Sequence, residues 1–132
     1  MKKHIPKNKY DVEAVRFLNS CLLDNIKPDI PELLVWMQDL HWEVAHGIGS
    51  YLALYVNDIK TDLIKILNSN DEFWKKGILF GLIGKHTQEL DEELASVIKR
   101  IAETPTNSER EEEVDIFAKE VVFPCLRKCS NG

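Results

Sequence analysis

A chain of 132 residues, 44% hydrophobic and 30% charged, is large enough to bury a core as one domain and lies outside the low-hydrophobicity range of disordered chains. A formal net charge of -5 argues against a protein that neutralises many phosphates, and no apolar run is long enough to span a bilayer. With no secretory signal after MKKHIPKNKYD and an odd count of three cysteines, Cys21, Cys125 and Cys129, we expect a cytoplasmic protein with reduced thiols.

The first expected helix starts at Asp11, a good N-cap, and carries Ala14, Val15 and Leu18 at helical spacing. Lys27-Pro28-Asp29-Ile30-Pro31 interrupts helix, because each proline lacks a backbone donor and restricts the residue before it. A second helix then begins at Pro31, with Leu33, Leu34, Trp36, Met37 and Leu40 on its apolar side. Over Trp42 to Val56, the residues Val44, Ile48, Leu52 and Tyr55 share one helical face. Thr61 or Asp62 is expected to cap the next helix, whose inward residues are Leu63, Ile64, Ile66 and Leu67. Ser69 and Glu72 have capping-box spacing before the helix carrying Phe73, Trp74, Ile78 and Leu82. Leu90, Leu94, Val97, Ile98 and Ile101 mark a further helix that stops before Pro105. Thr106 and Glu109 repeat the box spacing for a last long helix carrying Val114, Phe117, Ala118 and Val121, ended by Pro124. The pattern is seven helices without a strand, in a single domain over 1–132 with flexible stretches at 1–10 and 125–132.

An internal repeat organises these helices. A shift of thirty residues aligns LLVWMQ with LIKILN, and Gly47, Ile48 and Leu52 with Gly77, Ile78 and Leu82. A third pair, SVIKRI followed by VDIFAKEV, fits with a longer connection. Amphipathic hairpins of this kind cover their apolar faces by stacking on one another. The expected fold is therefore all-α, a HEAT/armadillo-like α-α superhelix of about three stacked hairpins with an extra N-terminal helix.

The stretch PELLVWMQDLHWEVAHGIGSYL resembles the HEAT pattern through Leu33, Leu34, Asp39, Val44, Ala45 and Leu52. The succession PKNKYDVEAVRFL, PELLVWMQDLHWEVA, LIKILNSNDEFWK and TPTNSEREEEVDIFAKE is similar to a small bacterial family of HEAT-like helical proteins classed as a domain of unknown function. This chain has His41-Trp42-Glu43 where that family usually carries Asn-Trp-Pro. The resemblance spans nearly the whole chain and implies a fold, with no activity attached.

The segment WMQDLHWEVAHGIG concentrates chemistry-bearing side chains. His41 and His46 are five apart, so on a helix they point about 140 degrees away from each other, unlike the i, i+4 pair of HExxH sites. Glu43-Val-Ala-His46 is an ExxH without the second copy that a di-iron bundle needs. The better account is a helix seam: Asp39 closes the turn, Trp42 covers the hairpin end, and Val44 and Ile48 go inward. Cys125 and Cys129 lack two further ligands for zinc, and Gly84-Lys85 lacks the glycine and hydroxyl residue of a phosphate loop.

No catalytic residue, metal ligand or cofactor follows from these motifs. Trp36, Trp42 and Trp74 near the hairpin turns, Asp39 in the turn, and Glu111 and Glu112 in the acidic run are the candidate binding residues. The expectation is a noncatalytic protein-interaction module, monomeric or weakly dimeric, whose partner is another protein, with neither nucleic acid nor membrane as a partner. A narrower alternative is a bacterial immunity protein masking a basic toxin. A HEAT-like nucleic-acid enzyme such as a DNA glycosylase would need a basic concave surface, which the charge disfavours.

Overall fold

A computed structural model describes residues 2–122. Among them the secondary structure is helical with no strand. The helices are α1 (Val12–Leu18), α2 (Leu23–Ile26), α3 (Ile30–Val35), α4 (Glu43–Leu52), α5 (Lys60–Leu67), α6 (Glu72–Gly81), α7 (Glu92–Glu103), α8 (Asn107–Glu111) and α9 (Val114–Val122). Short 3-10 turns extend the chain at Lys27–Asp29, Trp36–Gln38, Ala53–Tyr55 and Ile83–Lys85.

The caps explain where several helices begin. Asp11 accepts from the Ala14 amide at 3.3 Å, as its position predicts. The Thr106/Glu109 capping box also forms, with Glu109 N donating to Thr106 Oγ at 3.1 Å and Thr106 N to Glu109 Oε1 at 2.8 Å. Two expected caps are replaced. Asp71, nearer the helix than Ser69, accepts from Trp74 N at 3.0 Å, while the Ser69 hydroxyl donates to the Ile66 carbonyl at 2.6 Å and so closes the end of α5. Thr61 and Asp62 lie inside α5, which starts at Lys60 with no side-chain cap. The last long helix is also divided: Glu113 adopts φ 61 between α8 and α9. A non-glycine residue rarely enters that region, so the break is a specific bend in the chain.

The start of α4 has no side-chain cap from Trp42. Instead the Lys9 carbonyl accepts from Val44 N at 3.3 Å, supplying from the N-terminal arm a partner for one of the helix's orphan donors. Residues 1–10, expected to be flexible, make further contacts where they are described. Buried His4 donates through Nε2 to Asp29 Oδ2 at 2.8 Å, and Lys2 Nζ lies 2.6 Å from Asp29 Oδ1. Hydrogen bonds from Lys2 and then His4 hold the Asp29 carboxyl below its ordinary pKa. The stretch 125–132, with Cys125 and Cys129, lies outside the described residues.

α6 occupies the centre of the packing. It contacts α4, α5, α9 and the Trp36–Gln38 turn, while α1 packs on α4 and α7 packs on both α5 and α9. One apolar cluster runs through these contacts, from Leu18 and Leu33 through Ile48, Leu52, Leu63, Ile78 and Leu82 to Ile98 and Val114. The repeat glycines have matching tasks. A Cβ on Gly47 would collide with Val15, and one on Gly77 with the Met37 carbonyl, so each admits the element packed against its helix. Phe73 departs from the expected face: it is 65% exposed, while Ile78 and Leu82 on the same segment are buried.

Candidate functional site

The surface formed by the 38–41 turn, α6 and α9 contains a groove of about 580 Å³, lined by Gln38, Asp39, Leu40, His41, Asp71, Phe73, Lys76, Gly77 and Phe117. The absence of a side chain at Gly77 lets the Met37 backbone approach α6, drawing the turn against the helix. Phe73 and Phe80 stand two helical turns apart on α6 and are 65% and 55% exposed. Phe80 also meets Phe117 of α9 with ring centroids 5.8 Å apart. The aromatic surface thus continues from the groove along both helices.

Charges frame this surface. Asp39 Oδ1 accepts from the His41 amide at 2.8 Å and lies 3.0 Å from His41 Nδ1, which closes the turn as expected for this residue. The backbone hydrogen bond from His41 is the main reason that the Asp39 carboxyl sits below its ordinary pKa. Asp71 keeps its cap at the start of α6, and Lys76 places Nζ 4.6 Å from the centre of the Phe73 ring. The resulting surface has exposed aromatic area between fixed polar edges.

The tryptophans have mainly packing contacts. Trp36 and Trp42 meet edge to face at 5.6 Å, and both are half-buried against the core. Trp74 is half-buried too, its Nε1 donating to the Leu34 carbonyl at 2.8 Å and so tying α6 to α3. Of the candidate residues, Asp39 lines the groove, whereas Glu111 and Glu112 lie at the α8–α9 break and are not among its lining residues. The His41 side chain is 98% exposed and His46 is also exposed. Among the described residues no group of three His, Cys, Asp or Glu side chains is placed to hold a metal ion.

In a second polar region the motifs marked Glu72 and Glu109 as helix-start residues but not the ion cluster they form. Glu109 is fully buried and receives the Arg100 guanidinium through contacts of 2.6 and 3.0 Å, together with Lys75 Nζ at 2.8 Å. Lys75 also lies 2.8 Å from Glu72 Oε1, but that oxygen has no hydrogen bond of acceptable geometry, so charge alone pairs it. Burial pushes the Glu109 carboxyl up, yet hydrogen bonds from Arg100, Lys75 and the Thr106 amide outweigh it and hold the pKa at about 2. The adjoining cleft, about 410 Å³, carries Asn68, Ser69, Asn70, Thr106 and Ser108 on its walls. Two cations and two carboxylates compensate one another here, so the cluster ties α6, α7 and α8 together.

The groove, the packed tryptophans and the buried ion cluster all fall within one recognised family region. A family model described as Domain of unknown function (DUF5071) matches residues 4–122, and the chain belongs to that family. No curated protein matches the chain. Among the described residues no helix is long and apolar enough to cross a membrane.

Proposed function

We propose that this chain is a noncatalytic protein-interaction module built as a HEAT-like stack of helical hairpins, with the groove along α6 receiving the partner. The packing of α4 on α6 and α6 on α9, with α5 against α7, supports a stack of paired helices. The observation that carries the docking role is the exposed aromatic row of Phe73 and Phe80 beside Phe117, since a continuous apolar patch gains free energy when covered. The proposed occupant is an amphipathic helix of another protein, its apolar side chains against Phe73, Leu40 and Phe117 and its Lys or Arg residues near Asp39 and Asp71. The net charge of -5 favours that polarity, and Lys76 turns its cation toward the Phe73 ring.

Site-specific photo-crosslinking in the source cells tests the reading. A crosslinker at Phe73 should give a discrete adduct that maps to a basic amphipathic helix, and Asp71→Lys should abolish it. The same crosslinker at Leu54, an exposed apolar residue outside the groove lining, serves as control. Equal adducts from both positions, or an adduct indifferent to Asp71→Lys, would remove the groove from the interaction.

A further inference from the structure

We propose that Lys85 is an acylation site, an amine held against α4 so that it can attack an activated acyl donor such as an acyl phosphate or a thioester. Lys85 ends the 3-10 turn after α6, and its Nζ donates to the His46 carbonyl and to the Ser50 hydroxyl, each at 3.2 Å. Both acceptors are neutral. Other lysines have a different setting: Lys2 pairs with Asp29, Lys60 with Asp91 and Glu93, and Lys75 is enclosed by Glu72 and Glu109.

Hydrogen-bond count explains why this arrangement suits a nucleophile. An ammonium has three N–H donors, and two here are directed at α4. When the third proton leaves, the neutral amine retains both hydrogen bonds and its lone pair occupies the remaining tetrahedral position. Partial desolvation of Lys85 lowers its pKa, in contrast to the acid-paired Lys2 and Lys60, whose side-chain hydrogen bonds raise theirs. The residue as a whole remains exposed, so a donor can approach.

In the reaction the Nζ lone pair forms a bond to the acyl carbon. The C–O bond to phosphate or the C–S bond to thiol breaks, the leaving group takes the electron pair, and the excess Nζ proton passes to solvent. The product is a neutral amide with one N–H for two former acceptors. Acylation therefore both removes a positive charge and loosens the tether between α4 and the turn after α6.

Trace acetylation of the folded chain by acetyl phosphate, with site rates measured by peptide mass spectrometry, provides the test. Exposed Lys65 and Lys99 are the references. Lys85 should react at least about threefold faster than either in the folded chain and equal them in denaturant, as expected for a nucleophile activated by its folded surroundings. Ser50→Ala, at an exposed helix position, should reduce the Lys85 excess, because one of the two bonds that orient the amine is lost, while the circular dichroism stays helical. A folded-state rate at or below the references, an excess that persists in denaturant, or an excess unchanged by Ser50→Ala would overturn the assignment.

Discussion

Removing the Glu109 carboxylate would leave Lys75 and Arg100 directed at the place it occupied, with Lys75 buried. Breaking one partner from a buried ion cluster typically costs about 3–5 kcal/mol; here Lys75 would keep Glu72 as counter-ion but lose its hydrogen-bonded acceptor, and Arg100 would lose both of its contacts to the carboxylate. Glu109→Ala should therefore show a large loss of stability in denaturant melts, whereas Glu112→Ala, at the half-buried end of α8, should stay within about 0.5 kcal/mol. The pH dependence follows from the depressed carboxyl. Its contribution is present above the ordinary value of 4.5 and is lost as pH falls through about 2. The stability gap between the natural chain and Glu109→Gln should consequently narrow across that acid range. Asp29 and Asp91 are also held low and contribute to acid unfolding, so the mutant difference is the informative readout.

Close helix approach makes glycine a stability determinant at the level of elements. A Cβ at Gly77 would strike the Met37 carbonyl, and one at Gly49 would strike the Gly81 carbonyl, backbone atoms that cannot turn aside like a side chain. Gly77→Ala should lower stability by about 1–3 kcal/mol despite alanine's better helix propensity, because overpacking outweighs a gain of about 1 kcal/mol. Glu113 presents the opposite case: Glu113→Gly removes the positive-φ conflict and should preserve or slightly raise the melting temperature, while Glu113→Val should lower it. These sites also explain what can be read before folding. Ile48, Leu52, Ile78 and Leu82 announce their burial through spacing, and the Thr106/Glu109 box announces a helix start. The burial of Glu109 depends on Lys75, 34 residues away, and the break at Glu113 falls in a run of glutamates that carries no Gly, Pro or Asn to mark it. The groove was equally hidden, since Phe73 has the composition of a core residue and its exposure is decided by where the 38–41 turn and α9 settle around α6.

Across the whole molecule, the apolar cluster is continuous from α1 to α9 and α6 links its parts, so damage to one helix is transmitted to its neighbours. Leu52 and Leu82 make this testable: both are fully buried, on α4 and in the residue following α6, which pack on one another. Either leucine replaced by alanine should cost about 2–5 kcal/mol, from lost transfer free energy and the cavity left behind. If the cluster folds as one unit, each variant should retain a single unfolding transition with coincident near- and far-ultraviolet dichroism at a lower midpoint. The double variant should also deviate from the sum of the two single costs, because neighbouring cavities share the same relaxing surroundings. A split transition in Leu52→Ala, with α5 to α9 melting separately from α1 to α4, would instead identify two folding units meeting at the α4–α6 contact. That outcome would relocate the cooperative boundary without altering the local costs, because the glycine contacts and buried leucines act within the interface itself.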